Sequence, residues 1–401
     1  MFKFSRKQNI TTKIRPVWEN SQSKSSVILL EKDLISVLKP ISILQIMTLS
    51  SKSIISRKIS AYSSFYSVAS IIVTFVLFFV TLYYMFKPAL SKSSSLDNFM
   101  YVQFLTDIIS LTSIVMFVVN ESINFVNRGD HLNLIIDISD LYRALKVYGS
   151  FKTLVCSNWV YIITYTVYHI SWMVYYFYRF KLPALAFNYS IYFYTCMDLH
   201  IIYTTNIIML MRKLLQIWVK KFETMTHGYK SHFVPQDRND WNLLSKMYIK
   251  ILETFKLFHD FFKKWILYHL VNTAVKSVMG IVLRIEMKKV IIDTAIHYAL
   301  TSLLSLSWII KNFLLLTWLV VEYERIYSIL NEIDSICIQV ISSGHFTNVR
   351  RNICKNIHRV RASNFKKMYV FGLFAVDNSL LLGFVRVLIG YIFVVLQFEF
   401  L

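Results

Sequence analysis

Glycine and proline are scarce in this sequence, with only 8 Gly and 5 Pro among 401 residues. Few positions would therefore interrupt a long helix. Charged residues make up only 17% of the chain, whereas hydrophobic residues make up 55% and the mean hydropathy is +0.48. A soluble domain of this composition would lack the polar surface that must face water. The composition thus excludes an ordinary soluble protein and predicts an all-helical membrane protein.

Cysteine is also sparse, and the four residues show neither the paired spacing of a metal site nor a disulfide framework. We expect all four to be small packing residues. No nucleophile motif, metal-ligand cluster or phosphate-binding glycine loop occurs in the sequence. We therefore expect no enzymatic activity, no cofactor and no bound metal. No signal peptide is visible, because a long polar stretch precedes the first apolar run.

Blocks of hydrophobic residues alternate with charged stretches along the whole chain. Each block has about 20 residues, the length that a helix needs to cross a hydrocarbon core of about 30 Å. We therefore predict seven membrane-spanning helices, over 62–86, 100–119, 154–178, 185–211, 265–283, 295–321 and 380–400. The fifth is the weakest, because it carries His269, Asn272 and Lys276.

The segments around these spans predict the domain organisation. An interrupted apolar stretch ends the polar N-terminal tail, and we expect it to lie on the membrane surface as a helix. Amphipathic patterns after the second and fourth spans predict helices that extend into the cytosol. The predicted units are the cytosolic tail (1–61), a six-helix bundle (62–321) with cytosolic extensions (120–152 and 212–264), a cytosolic anchor segment (322–379) and the last helix (380–401).

Positive charge determines the expected orientation. The formal net charge is +21, with 44 Lys and Arg against 23 Asp and Glu. These basic residues lie between apolar blocks rather than on one soluble face, which argues against nucleic-acid binding. Most of them fall in the tail and in the loops on the same side, which the positive-inside rule places in the cytosol. Seven spans then leave the C terminus outside, the opposite of a G-protein-coupled receptor, and we expect a multi-pass protein of the plasma membrane.

The last helix ends with an amide, Gln397, followed by Phe398. An amide that faces lipid is costly, so Gln397 is expected to face protein or water, or to lie at the membrane interface. A pore made from one final helix per chain requires a symmetric ring of subunits, because a single helix encloses nothing. Taken without further comparison, the residues leave open both a pore constriction and a simple helix-end amide.

The end of the chain resembles a known signature. Tyr391, five hydrophobic residues (392–396), Gln397 and Phe398 are similar to the C-terminal motif of insect gustatory receptors, with Gly390 where Thr is usual. Residues 372–381 resemble the Gly-x-Phe-x-(Leu/Ile)-Asp-x-x-Leu-Leu motif that forms the kinked entry to the final helix in this family, and 38–40 resemble its N-terminal segment.

The resemblance implies a homotetrameric or heterotetrameric, non-selective cation channel. Its pore would be lined by the seventh helices, with Gln397 and Phe398 at the constriction and Tyr391 and Val394 in the same lining. A ring of Phe resists wetting, and amides offer polar contacts to ions once the ring widens. Asp377 and the basic cytosolic helices would belong to an anchor domain where subunits meet.

The resemblance also implies an outward-facing tastant pocket among the first six helices. Polar and aromatic residues in the outer halves of those spans are the candidate ligand contacts: Asp107, His169, Trp172, Tyr176, Tyr194, Asp198, Lys276 and His297. Aromatic walls with a few hydrogen-bonding groups suit sugars, alkaloids and glycosides alike. Alternatively, Asp107 or Asp198 pairs with Lys276 to lower the cost of intramembrane charge. Lys311 and Arg386 are expected to extend towards the inner interface.

The class of tastant is predicted from one position. Sugar-receptor relatives often carry an acidic residue directly after the Tyr of the motif, whereas this chain has Ile392. That difference favours a bitter or plant compound, or a fructose-like sugar. Two other functions stay open: a secondary transporter of a small polar solute, because several spans carry charges, and a channel subunit of the odorant-receptor type, which the Gln-Phe ending disfavours.

Overall fold

The computed structural model describes residues 31–48, 97–145, 151–180, 184–227, 237–290, 295–343, 346–364 and 367–400, with short pieces between 68 and 83. For parts of some helices, the description covers the backbone alone. Nearly all of the described residues are helical. The helices are α1 (Lys32–Met47), α2 (Asp97–Val126), α3 (Arg128–Ala144), α4 (Lys152–Phe180), α5 (Ala184–His227), α6 (Asp237–Val290), α7 (Ala295–Ser342), α8 (Asn348–Asn364) and α9 (Asn378–Phe400).

Three stretches of the described chain are long and apolar enough to cross a membrane. They are Asn239–Val282 in α6, Ser302–Ser342 in α7 and Asn378–Gln397 in α9, and a shorter apolar stretch, Leu111–Asn124, lies in α2. The prediction of a helical chain with helices suited to a membrane is therefore confirmed for three helices. The total of seven membrane-spanning helices stays a prediction. The predicted first span falls mostly outside the described residues, and its described pieces are helical.

The longest helices extend well beyond the thickness of a bilayer. The 54 residues of α6 span about 80 Å at 1.5 Å per residue, against a hydrocarbon core of about 30 Å. Proline is absent from α5, α6 and α7, so nothing in their sequences breaks the helical hydrogen-bond ladder. The amphipathic segment predicted within 212–264 and the fifth predicted span therefore form one continuous rod.

Aromatic side chains fill the core between the C-terminal part of α5 and the N-terminal part of α6. Trp218 and Phe222 stack with ring centroids 5.0 Å apart, and Tyr248 packs 4.8 Å from Trp218. The Trp218 indole donates a hydrogen bond to the Leu244 carbonyl at 2.9 Å. Burying rings of this size stabilises the bundle strongly, and the indole N–H finds a partner as burial requires. The segment 212–264 thus contributes to a well-packed core.

The N-terminal helix α1 packs against the bundle, and its position at the membrane surface stays a prediction. Its apolar residues Leu34, Val37, Leu38 and Ile41 are buried, and the helix packs on α4 and α5. Asn158 donates a hydrogen bond to the Val37 carbonyl at 3.0 Å. The apolar face of α1 is covered by protein rather than by lipid, because α4 and α5 offer it both apolar surface and hydrogen-bond partners.

A short antiparallel hairpin precedes the last helix. Strand β1 (Tyr369–Val370) pairs with β2 (Phe374–Ala375), and Val370 lies opposite Phe374. The turn between them holds Phe371 and Gly372 at positive φ, 51° and 75°. Met368, Val370 and Val376 are buried. The hairpin thus reverses the chain and directs it into α9, at the place where the sequence predicts a kinked entry.

Candidate functional site

A buried carboxylate, Asp198 of α5, is the centre of a polar cluster between three helices. The Lys311 ammonium of α7 forms an ion pair with Asp198 Oδ2. The Tyr165 hydroxyl of α4 donates a hydrogen bond to the same oxygen at 3.0 Å. His169, one turn further along α4, places Nε2 at 3.7 Å from that oxygen and Nδ1 at 3.2 Å from the Thr195 hydroxyl. Charge is tolerated inside the bundle here because partners surround it.

Helix geometry explains why these residues meet. The C-terminal ends of α4 and α6 lie on the same side of the bundle as the N-terminal ends of α5 and α7, because consecutive helices run antiparallel. At 1.5 Å per residue, His169 lies about 16 Å from the C-terminal end of α4, and Lys276 lies about 21 Å from the C-terminal end of α6. Asp198 and Lys311 lie about 21 and 24 Å from the N-terminal ends of α5 and α7. The four residues therefore lie at similar distances, about 16–24 Å, along their helices.

Aromatic rings border the cluster on α4 and α7. Trp172 is buried and packs against Tyr168 and Trp308. The Tyr168 hydroxyl lies 3.1 Å from the Ser307 hydroxyl. The Lys311 ammonium lies 5.8 Å from the centre of the Trp308 ring, within range of a cation–π interaction. The arrangement combines a charged pair, hydroxyl and imidazole groups, and aromatic walls, which are the groups that bind polar organic molecules.

The structure brings together only some of the predicted ligand contacts. His169, Trp172, Asp198 and Lys276 are buried, and His169 lies beside Asp198. Lys276 is close enough to the Asp198 carboxylate for their charges to interact. The side chains of Asp107, Tyr176, Tyr194 and His297 lie outside the described residues. A role of any of these residues in ligand binding stays a prediction.

Several residues of the cluster are not among the predicted site residues, and Lys311, Tyr165 and Trp308 are the most informative. Lys311 was expected to extend to the inner interface, but its position on α7 puts it level with Asp198, and the ion pair forms instead. Tyr165 lies one helical turn before His169, so the i, i+4 spacing on α4 could have indicated it. Trp308 lies three residues before Lys311 and could have been found in the same way.

Unlike the buried cluster around Asp198, the last helix is largely exposed, because much of its apolar surface has no protein neighbour in the single chain. Tyr391 is 58% exposed and Val394 is 46% exposed, and the Gln397 side chain is exposed as well. One turn after the start of the helix, Leu382 is 75% exposed. The side chain of Phe398 lies outside the described residues. Three of the predicted pore residues thus lie on a surface open to lipid, water or other chains.

Hydrogen bonds fix the N-terminal end of α9 to the rest of the bundle. Asp377 caps the helix, since its Oδ1 accepts from the Ser379 amide at 3.0 Å, and its Oδ2 accepts from the Lys367 ammonium at 2.8 Å. Glu324 of α7 accepts a hydrogen bond from the Asn378 amide at 3.1 Å. Burial raises the pKa of Asp377, but the hydrogen bonds from Lys367 and Ser379 outweigh it, so the pKa lies below its ordinary value.

Comparison with known proteins does not assign the chain to a family. No protein-family model and no curated protein matches the chain. The resemblance to insect gustatory receptors therefore stays a prediction from the sequence motifs around Asp377 and Gln397.

Proposed function

We propose that this chain is a subunit of a ligand-gated, non-selective cation channel of the insect gustatory receptor type. In this proposal it lies in the plasma membrane with seven spans, a cytosolic N terminus and an external C terminus. Four subunits, identical or related, surround a pore that the α9 helices line. An extracellular tastant, either a bitter or plant compound or a fructose-like sugar, opens it.

The observation that carries the proposal is the contrast along α9. The helix is fixed at its first turn by Asp377 and Glu324, whereas after the buried Phe384 several of its apolar side chains and Gln397 are exposed. A ring of such helices would cover this surface and turn each Gln397 towards its copies, which removes the cost of an amide in lipid. Tyr391 and Val394 then belong to the same lining, with Phe398 beside the amide at the constriction.

The buried polar cluster is the proposed tastant site. Asp198, His169 and Lys311 offer a carboxylate, an imidazole and an ammonium, and Trp172 and Trp308 supply apolar rings. Hydroxyl and amine groups of a ligand could exchange with these internal partners. If the predicted contacts Asp107 and Tyr176 line the same site, Asp107→Asn and Tyr176→Ala shift the effective tastant concentration without changing the unitary conductance. Unaltered potency in both variants would place the pocket elsewhere.

The decisive experiment expresses the chain alone in cells and records current. A panel of sugars, polyols, alkaloids and plant glycosides is applied from outside. We expect ligand-evoked cation current whose conductance or gating changes in Gln397→Ala. The matched control is Gln339→Ala, which truncates an exposed amide on the inner part of α7. Wild-type conductance and gating in Gln397→Ala would remove the gate assignment.

A secondary transporter is the second candidate, because an exchangeable buried charge cluster such as Asp198 and Lys311 is also what a coupled carrier uses. It predicts saturable uptake of the solute with no unitary currents. The same recordings therefore separate the two. A channel of the odorant-receptor type would instead give unitary currents evoked by volatile compounds.

A further inference from the structure

The hairpin before α9 carries apolar side chains on both of its faces. Met368, Val370 and Val376 point inward and are buried. Tyr369, Phe371 and Leu373 point outward and are 53%, 52% and 71% exposed. The outward face of a hairpin in water is normally polar, because only one face packs on the core. Here the outward face also requires an apolar environment.

The turn of the hairpin places an aromatic residue in a strained backbone conformation. The Leu373 amide donates a hydrogen bond to the Val370 carbonyl at 2.9 Å, and the two residues between them have positive φ. Such a turn favours Asn, Asp or Gly at its first central position, whereas this chain has Phe371 there. An aromatic residue with a φ of 51° costs conformational energy, because its Cβ crowds the backbone. Contacts of the ring outside the hairpin would offset that cost.

The position of the hairpin indicates which environment covers this face. The chain continues directly into Asn378–Gln397, one of the three helices suited to a membrane. The Lys263 ammonium lies 5.7 Å from the centre of the Phe371 ring, and the apolar part of α6 follows Lys263 and Lys264. Lysine next to aromatic side chains is typical of the membrane–water interface.

We propose that the hairpin tip, Tyr369, Phe371 and Leu373, inserts into the lipid of the inner leaflet and fixes the base of α9 at the membrane surface. The lipid covers the outward face, and the Lys263 ammonium lies at the level of the headgroups. This inference rests on the proposed topology, which places the start of α9 at the cytosolic surface.

Photo-crosslinking of the full chain tests it. The photoreactive residue p-benzoylphenylalanine replaces Leu373 in one protein, and in two control proteins it replaces Ile163 or Leu243. Both control positions are exposed apolar residues, Ile163 on the part of α4 proposed to lie in the membrane and Leu243 on the cytosolic part of α6. Folded protein is reconstituted into phosphatidylcholine vesicles and irradiated. Lipid adducts are measured by mass spectrometry, and crosslinks between chains are measured on gels.

The expected lipid adduct yield at position 373 exceeds that at position 243 by about tenfold or more, the preference that burial of one large apolar side chain supplies. A yield at 373 no higher than at 243, with adducts present at 163, would overturn the inference and leave the proposed membrane bundle intact. Crosslinks from 373 to a second chain in place of lipid would also overturn it. No adducts at 163 would contradict the proposed topology, and the inference would fail with it.

Discussion

Two buried ion pairs join α5 to α7, and their chemistry differs. Glu322 lies between two guanidinium groups, with Arg212 Nε at 2.8 Å and Arg325 Nη1 at 2.5 Å. Asp198 is held instead by Lys311, Tyr165 and, more loosely, His169. Arg is always charged and its fork is rigid, whereas the Lys ammonium can turn its donors towards another partner. From this difference in chemistry we expect a fixed joint at Glu322 and an exchangeable site at Asp198.

The largest expected effect is on stability at the fixed joint. Glu322→Gln leaves the partly buried Arg212 without its counter-charge and is expected to lower the free energy of unfolding by about 3–5 kcal/mol. Titration with sodium dodecyl sulfate in mixed micelles measures this quantity. The control, Glu332→Gln, alters an exposed carboxylate on the same helix and should change stability by less than about 0.5 kcal/mol. Equal effects in the two variants would contradict a structural role for Glu322.

The next effect concerns the exchangeable site. Asp198→Asn removes the charge that pairs with Lys311 and is expected to cost about 1.5–3 kcal/mol in the same titration. Because the second substitution removes the uncompensated ammonium, the double variant Asp198→Asn/Lys311→Met should recover most of this loss. Tastant potency should fall in both. Recovery of potency together with stability would show that Asp198 acts only through packing.

A smaller effect is expected for the hydroxyl that orients Asp198. Tyr165→Phe removes one hydrogen bond of 3.0 Å to a charged acceptor and is expected to cost about 1 kcal/mol. Tyr161→Phe is the matched control on the same helix, because among the described residues the hydrogen bond to Asp198 comes from the Tyr165 hydroxyl and not from that of Tyr161. A loss as large as that in Asp198→Asn would mean that Tyr165, rather than Lys311, is the main partner.

The smallest effect is expected at Asp377, the carboxylate that caps α9. Asp377→Asn keeps a capping side chain but loses the charge that pairs with the half-exposed Lys367, so the cost at neutral pH is below about 1 kcal/mol. The pKa of Asp377 lies below its ordinary value in the folded chain, so its contribution is present at neutral pH and is lost as the pH falls below about 4. Unfolding titrations across this range should show wild type and variant converging in acid. A difference that persists there would exclude the charge as its source.

Sequence patterns predicted the helices far better than the contacts between them. The starts of α4, α5 and α7 were placed within a few residues, because hydrophobic length and the lack of Pro are local properties, whereas α5 and α7 continue well past the ends of the predicted spans at 211 and 321. Those patterns could not predict that α4 and α5 cover the apolar face of α1, since this face is compatible with lipid and with protein alike. The partner of Asp198 was also open, because pairing depends on the relative depth of helices that are far apart in sequence.

The sequence by itself determined an all-helical chain, the positions of its long helices, the expected cytosolic excess of positive charge and the motif around Gln397. Tertiary structure decided that Lys311 meets Asp198, that Glu322 meets two arginines, and that the hairpin presents Phe371 outward. The physical reason is that helix formation and hydrophobic length are set by neighbouring residues, whereas ion pairs and exposed faces depend on how rigid helices align across the bundle.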